Sequence, residues 1–233
     1  KFHPCGRSLR MLLLPERSRL GGVQSKRAER LTLSLTDTDL FPPYHQLPDE
    51  QAIRSLGHSD SINSRLDEFL APDGWSSVPP YADPAMSLPA KRQQRKRQQV
   101  ASMVRCCAAV MLAVENATNA VKEEASLRTF VDFCGGAGHV GVIIAWLFPA
   151  WRVVCVDLKE RSLAIGRDRA AALGCSNYEA VARDVRSYGE AFSVGAALHA
   201  CGSASDYVLE QCVRAGAGMV VCPCCVGKVV SGG

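Results

Sequence analysis

The sequence predicts an α/β fold: a doubly wound parallel sheet covered by helices on both faces. Two observations carry this prediction. After Ser126, short segments rich in β-branched residues alternate with apolar helical segments, and the loops between them are short. The strand-like segments are also apolar along almost their whole length, which is typical of parallel strands buried on both faces. Together these patterns indicate a Rossmann-like architecture for this part of the chain.

Residues 91–233 contain every long element of that fold. The first is a helix from residue 91 to about 124, in which apolar side chains recur at steps of three and four residues. The predicted strands are 128–134, 152–158, 178–185, 194–200 and 218–222. The predicted helices between them are 140–148, 160–173 and 205–215.

Residues 1–90 are predicted to form an irregular, proline-rich and partly disordered region. Prolines recur at short intervals between residues 32 and 89, so long elements are not expected there. The exception is 49–70, where apolar side chains share one face of a candidate helix. The arginine-rich first 30 residues fit either an organelle-targeting segment or a plain basic tail. Because the chain starts at Lys1, we take it as a fragment.

Composition excludes several classes of protein. With 233 residues, of which 47% are hydrophobic and 21% charged, the chain suits one domain with an appendage. No apolar run approaches the roughly 20 residues that span a bilayer, so no membrane contact is expected. The 11 cysteines are odd in number and include the adjacent pairs Cys106-Cys107 and Cys224-Cys225, which favours reduced thiols. We therefore expect an intracellular and most simply cytoplasmic protein, with mitochondrial or other organelle targeting as the alternative.

The turn after the first predicted strand has the features of a cofactor site. Gly136, Gly138 and Gly141 form a GxGxxG pattern between a strand and a helix, so the backbone can approach a ligand closely. The second strand ends near Asp157, where folds of this class place an acid for ribose hydroxyls. This order predicts a cofactor that contains adenosine. Glycines that serve only tight packing are the alternative.

An acid at the end of the first strand indicates which of two cofactors the turn binds, a dinucleotide or S-adenosylmethionine. A dinucleotide presents a pyrophosphate to the turn, whereas S-adenosylmethionine presents an ammonium and a carboxylate. Asp132 supplies an acid at this position. The spacing Asp132-x-Cys134-x-Gly136-x-Gly138 is similar to the methyltransferase motif, with Cys134 in place of the first glycine. The predicted cofactor is therefore S-adenosyl-L-methionine.

Four segments together carry a resemblance to a known family. They are 91–99, 132–141, 198–206 and 221–228. They resemble the methyltransferase domain of the glutathione S-transferase C-terminal domain-containing protein family and, more distantly, a eukaryotic tRNA 2′-O-methyltransferase family. The resemblance covers residues 91–228 and implies a Rossmann-like doubly wound sheet of the S-adenosylmethionine-dependent methyltransferase type. Such sheets usually add an antiparallel hairpin at one edge, so with five strands before Gly233 the last strands are expected to be missing.

The resemblance also implies which strand-end residues hold the cofactor. In methyltransferases, an acid after the third strand commonly accepts a hydrogen bond from the adenine amino group, and Asp184 stands at this position. The alternative is that Asp184 is only a strand-end residue at a turn. The cofactor-binding candidates are Asp132, Cys134, Gly136, Gly138, Asp157, Leu158, Asp184, Val185, His199 and Ala200. A hydroxyl acceptor also needs a base, for which His199 is the candidate. Lys228 is the second catalytic candidate, with a solvated tail residue as the alternative.

Thiols gather where the carboxyl ends of the predicted strands converge. We call this group the cysteine rim: Cys134, His199, Cys201, Cys222, Cys224 and Cys225. Three interpretations stay open, namely the lining of a methyl-transfer pocket, a metal site and simple packing. The spacing lacks the paired Cys-x-x-Cys that makes zinc a strong prediction, so no metal ligand is assigned.

A basic segment opens the long helix. It contains Lys91, Arg92, Arg95, Lys96 and Arg97. The segment is either a solvated helix face or a strip that contacts phosphates, and the second interpretation makes RNA the leading substrate. A catalytically silent cofactor-binding or scaffold domain is the alternative function. An NAD-dependent oxidoreductase is a weaker one, because residues 1–90 lack the periodic structure of a substrate domain. Oligomeric state cannot be inferred.

Overall fold

The computed structural model describes residues 10–12, 60–121 and 128–223 of the chain. Its helices are α1 (Asp60–Leu70), α2 (Ala90–Val121), α3 (Gly141–Leu147), α4 (Glu160–Ala172) and α5 (Ser203–Ala215). Its strands are β1 (Arg10–Leu12), β2 (Thr129–Phe133), β3 (Arg152–Asp157), β4 (Tyr178–Ala182), β5 (Val194–Leu198) and β6 (Gly218–Cys222). Within these ranges, none of the helices has the length and apolar character needed to cross a membrane.

The strands form one sheet in the order β1-β6-β5-β2-β3-β4. Strands β2 to β6 are parallel to one another, and β1 pairs antiparallel with β6. The chain runs outward from β2 through β3 to β4, then returns to the other side of β2 for β5 and β6. The carboxyl ends of β2 and β5 therefore lie at a topological switch point, the usual ligand position in such sheets. The predicted doubly wound α/β fold is confirmed.

Alternating side chains of each strand enter two separate cores. Phe130 of β2 packs in a large core with α1, α2 and α3. Val131 and Phe133 of the same strand pack in a second core with α5. Because side chains alternate along a strand, Asp132 faces the same side as Phe130, the side covered by α2 and α3. This orientation decides which helices can reach the first acid of the site.

Residues 1–90 contribute more regular structure than the sequence indicated. Helix α1 occupies the end of the predicted 49–70 helix, whose residues 49–59 lie outside the described part. Leu66 and Phe69 of α1 are 1% exposed and belong to the large core. Residues 10–12, predicted from the sequence to belong to an organelle-targeting segment or a plain basic tail, add the antiparallel strand at the edge of β6. An antiparallel edge strand is thus present, but it comes from the N-terminal region. The division at residue 90 stays a prediction.

Four strands end earlier than predicted: β3 by one residue, and β2, β4 and β5 for local backbone reasons. Strand β2 stops at Phe133 because Cys134 has a φ of 55°, and β5 stops before His199, whose φ is 70°. These left-handed conformations cannot continue a ladder. Strand β4 stops at Ala182, and Asp184 then caps a short 3₁₀ turn by accepting a hydrogen bond from the backbone N–H of Arg186.

Candidate cofactor site

The glycine turn after β2 exposes its backbone at one position. Gly136 has a φ of 56°, and a Cβ placed on it would have only Asp157 Oδ2 within 4 Å, at 3.8 Å. Space for a ligand therefore lies directly over Gly136. Cys134 replaces the first motif glycine, and its φ of 55° is the conformation that a glycine would adopt there.

The opposite side of the turn is closed by the hydroxyl of Tyr178. A Cβ at Gly138 or at Gly166 of α4 would lie 2.6 Å from that oxygen. Arg169 of α4 also donates a hydrogen bond to Ala137 O at 2.9 Å. Gly138 and Gly166 are thus required for packing of the turn against α4 and β4, whereas Gly136 is required at the open side.

Asp157 fixes the turn to the end of β3. Its Oδ2 accepts a hydrogen bond from Gly136 N at 3.0 Å, and its Oδ1 accepts one from Lys159 N at 2.9 Å. A carboxylate offers about four lone-pair sites, so both oxygens can still accept bonds from a diol. Leu158, the next residue, is 70% exposed and offers an apolar surface beside this acid.

Asp132 lies beneath the turn with one oxygen unused. Its Oδ2 accepts a hydrogen bond from Gly141 N at 2.9 Å, at the start of α3. Its Oδ1 is buried and has no hydrogen-bond partner among the described residues. Burial raises the pKa of this carboxyl to about 7, although the Gly141 N–H and the positive charge of Lys96 favour the ionised form. A cation or donor arriving here would find an unsatisfied acceptor.

Asp184 and Val185 occupy the third strand end in different ways. Arg186 holds the carboxylate of Asp184 in an ion pair at 2.6 Å and keeps its pKa low, at about 2. The guanidinium of Arg186 in turn lies 5.4 Å from the ring centroid of Tyr207. Val185 is only 9% exposed and packs in the second core, so its backbone is the part available to a ligand.

The ends of β5 and β6 lie beside the end of β2. His199 is exposed, and its N–H donates a hydrogen bond to Cys222 O at 2.9 Å. Ala200 is buried, while Cys134, Cys201 and Cys222 are half-buried. The strand pairing thus brings the described members of the cysteine rim to one edge of the sheet. Cys224, Cys225 and Lys228 lie outside the described residues.

The thiol of Cys134 is held in its protonated form. Burial, together with the negative charges of Asp157, Asp132 and Asp184, raises its pKa to about 11. A protonated thiol is neither a strong nucleophile nor a metal ligand. In the ranges that the structure covers, no group of three or more His, Cys, Asp or Glu side chains is arranged to hold a metal ion. All three interpretations of the cysteine rim stay open, because Cys224 and Cys225 lie outside the described residues.

Three basic residues near the turn were not singled out as turn contacts from the sequence. They are Lys96 of α2, His139 of the turn and Arg169 of α4. Burial and the charges of Lys96, Arg169 and His199 lower the pKa of His139 to about 3, so this imidazole is neutral at physiological pH. For Lys96 a signal existed in the sequence: it stands four and seven residues before Val100 and Met103, on the buried stripe of the helix.

Comparison with known proteins agrees with this geometry. A family model described as a methyltransferase domain matches residues 95–231. A glutathione S-transferase C-terminal domain-containing protein from Xenopus laevis is 34% identical over 156 residues, which cover 66% of this chain and 23% of that protein. A homolog from Drosophila melanogaster is 31% identical over 239 residues, covering 97% of this chain and 38% of the homolog. The chain thus spans less than half the length of these relatives.

A solved structure of a magnesium protoporphyrin IX methyltransferase from Synechocystis is 12% identical, with a TM-score of 0.38, over 70% of this chain and 71% of that one. The family assignment rests on the family model, which covers more than half of the sequence. It confirms the methyltransferase-domain resemblance drawn from the four sequence segments. The chain belongs to the methyltransferase domain family.

Proposed function

We propose that the domain binds S-adenosylmethionine across the glycine turn and transfers its methyl group to an acceptor. The observation that carries this proposal is the open position at Gly136, with the carboxylate of Asp157 directly beside it. In this arrangement Asp157 accepts hydrogen bonds from the ribose hydroxyls, and Leu158 packs against the adenine ring. The methionine part then extends toward Asp132 and the end of β5. When bound, the cofactor supplies an electrophilic methyl group, and the protein holds the acceptor in line with it.

The charge around the turn favours a sulfonium over a dinucleotide. The carboxylates of Asp157, Asp132 and Asp184 all lie close enough to Cys134 to raise the pKa of its thiol. Asp184 is already paired with Arg186, but Asp132 beneath the turn would, in its ionised form, repel a pyrophosphate and attract the positive charges of S-adenosylmethionine. This distribution disfavours an NAD-dependent oxidoreductase.

The ends of β2 and β5 also provide a candidate base. His199 is exposed beside the switch point and carries an imidazole suited to removing a proton from a hydroxyl acceptor. Its backbone, held to Cys222 O, fixes the start of the side chain. Lys228 stays a prediction for the second catalytic residue.

The cofactor assignment is tested by calorimetric titration with S-adenosylhomocysteine and, separately, with NAD. The wild-type protein is expected to bind the first and not the second. Asp157→Ala should weaken binding about 10- to 100-fold, because it removes charge-assisted acceptors for the ribose. Asp157→Asn keeps one acceptor oxygen and should be intermediate. Asp168→Ala, which removes an exposed acid of α4, is the control. Equal affinities for the two ligands in the wild type would contradict the assignment.

RNA as the substrate is a separate proposal, and the basic segment supports it in part. Lys91, Arg92 and Arg95 are exposed on the first turns of α2. Arg97 instead pairs with the buried Asp83 at 2.6 Å, and Lys96 is half-buried. The proposed phosphate contacts are therefore the three exposed residues.

The RNA proposal is tested by salt-dependent binding. Replacing the three exposed residues by Gln should weaken RNA binding and reduce the log-log salt slope by about 0.7 for each lost single-strand contact. A control removes three exposed charges elsewhere, by changing Arg65, Arg161 and Arg214 to Gln. An unchanged slope in the first variant would leave the segment a solvated helix face. Methyl transfer from labelled cofactor to RNA distinguishes an active domain from a silent one.

A further inference from the structure

Lys96 and Arg97 are the two half-buried residues of the basic segment, and of these two only Arg97 has a counter-ion among the described residues. Arg97, the next residue, forms two hydrogen bonds to Asp83 Oδ2, at 2.8 and 2.6 Å. Lys96 is half-buried, yet its ammonium forms no salt bridge with any described residue. A half-buried ammonium without a partner is costly, since part of its hydration is lost. Lys96 therefore occupies a position where an anion would be stabilising.

The surroundings of Lys96 belong to the glycine turn. Helix α2 covers the sheet face toward which Asp132 points, and Lys96 lies close enough to that carboxyl for each charge to affect the other. The same ammonium and Arg169 influence His139 in the turn itself. Arg169 donates to Ala137 O. Basic groups thus cluster on the α2 side of the turn.

The two sides of the turn consequently carry opposite charge. Asp157 and Asp184 lie at the ends of β3 and β4, where the adenosine is proposed to bind. Lys96 and Arg169 lie on the other side, toward which Asp132 and its unpaired oxygen point. The methionine part of the cofactor ends in one ammonium and one carboxylate. Asp132 can attract the ammonium, but an acid alone leaves the carboxylate without a counter-charge.

We propose that Lys96 binds the carboxylate of the cofactor's methionine part and so helps to select an amino-acid-bearing adenosine. The inference rests on the proposed binding of S-adenosylmethionine and assigns one member of the basic segment to the cofactor instead of RNA. Lys96 is a binding residue here and takes no part in proton transfer. Its aliphatic stem continues the apolar stripe of α2, and its ammonium reaches the anionic end of the ligand.

The experiment compares two ligands that differ only in the carboxylate. Calorimetry measures the affinity of S-adenosylhomocysteine and of its decarboxylated analogue, which keeps the amine, for the wild type and for Lys96→Met. The wild type should bind the decarboxylated analogue about 10- to 100-fold more weakly, as expected for a charge-assisted contact. Lys96→Met should bind both ligands with similar, weak affinity. Lys96→Arg should restore much of the preference, because the charge is kept.

Arg65→Met is the control, since it removes one positive charge from an exposed position of α1 that belongs to neither proposed site. It should keep the wild-type preference for the carboxylate. Circular dichroism of each variant verifies folding, and Lys96→Gln provides a second variant should Lys96→Met fold poorly. An equal loss for both ligands in Lys96→Met, or no loss at all, would overturn the Lys96 assignment while leaving cofactor binding intact. Failure of the wild type to bind S-adenosylhomocysteine would overturn both proposals.

Discussion

Cys134 holds a conformation that ordinarily belongs to glycine. Its φ of 55° places an L-residue in the left-handed region, at a cost of about 1–2 kcal/mol. The residue stands where the motif has its first glycine, so the strain follows from retaining the turn without that glycine. The half-buried thiol points into a region influenced by three acids.

A substitution series at position 134 should therefore rank by backbone preference. Cys134→Gly should keep or raise the free energy of unfolding, whereas Cys134→Val should lower it by about 2 kcal/mol, since a β-branched residue is a strong outlier at positive φ. Urea denaturation measures both. Cys175 has no positive φ and packs against the large core, so there the Val variant should be more stable than the Gly variant. A more stable Val variant at 134 would contradict this account.

The buried acid of the turn should give the protein a specific pH dependence. Burial raises the pKa of Asp132 from about 3.8 in the unfolded chain to about 7 in the fold, so between these pH values the folded state keeps a proton that the unfolded chain has lost. Its stabilising contribution is complete below about pH 4 and is lost as the pH rises through 7. The neutral His139 acts in the opposite direction, because its pKa is lowered to about 3 and its stabilising contribution is lost as the pH falls.

Comparison with Asp132→Asn isolates the effect of the acid. The stability of the wild type relative to this variant should fall between pH 5 and pH 8, by on the order of 1–3 kcal/mol. Denaturation curves at four pH values measure the difference, and His139 contributes equally to both proteins. A difference that stays constant with pH would show that Asp132 titrates normally.

At the scale of elements, packing beneath the turn depends on one hydroxyl. Gly166 lies inside α4, where alanine is intrinsically favoured by about 1 kcal/mol. A Cβ there would nevertheless lie 2.6 Å from the oxygen of Tyr178. Gly166→Ala should thus destabilise the protein by about 1–3 kcal/mol, the usual cost of overpacking.

A double-mutant cycle with Tyr178→Phe tests this contact. Without the hydroxyl, the atom nearest to the Cβ that Gly166→Ala introduces, among those of other residues, is the carbonyl carbon of Ala137. The distance of 3.4 Å between these two atoms is an ordinary van der Waals contact. The double variant should recover most of the stability lost by Gly166→Ala alone. Gly174→Ala, where no atom lies within 4 Å of the Cβ, reports the cost of positive φ without a clash. Additive losses in the cycle would exclude the hydroxyl as the cause.

These contacts also explain which features the sequence could predict. The strand segments were recognisable because buried parallel strands are apolar on both faces, and β6 was placed at its exact bounds. The turn, Asp132 and Asp157 were recognisable because they are fixed by spacing along one βαβ unit. Tyr178 and Arg169 reach the turn from later elements. No local sequence pattern predicts such tertiary contacts.

Within the basic segment, charge alone does not predict which residues are exposed. Its five charges read as one surface, but the helical phase turns Lys96 and Arg97 toward buried groups and leaves Lys91, Arg92 and Arg95 outside. Charge density along the sequence does not contain this distinction. The spacing to the apolar stripe does.

At the scale of the whole molecule, β1 determines how the sheet ends. Met11 pairs with Val220 in an antiparallel register, so β6 has neighbours on both sides. Without β1, the backbone groups of β6 would form an exposed edge, which favours association between chains. The parallel strands and α2 retain their own contacts.

Deleting residues 1–12 should therefore leave the fold intact but expose β6. Hydrogen exchange at Gly218–Cys222 should accelerate, and sedimentation should show more self-association than for the full chain. Deleting only residues 1–9 keeps the paired residues and serves as the control. Unchanged exchange at β6 in the longer deletion would mean that β1 contributes no protection.

The β1–β6 pairing has a further consequence for the order of events during synthesis. β1 is made about 200 residues before the strand that it pairs with. At about 5–20 residues per second, a ribosome needs roughly 10–40 seconds to cover that interval. The parallel strands β2 to β5 emerge within it and can assemble in turn. Of the described strands, β1 is thus synthesised first but joins the sheet last, because its partner β6 is the last of them to leave the ribosome.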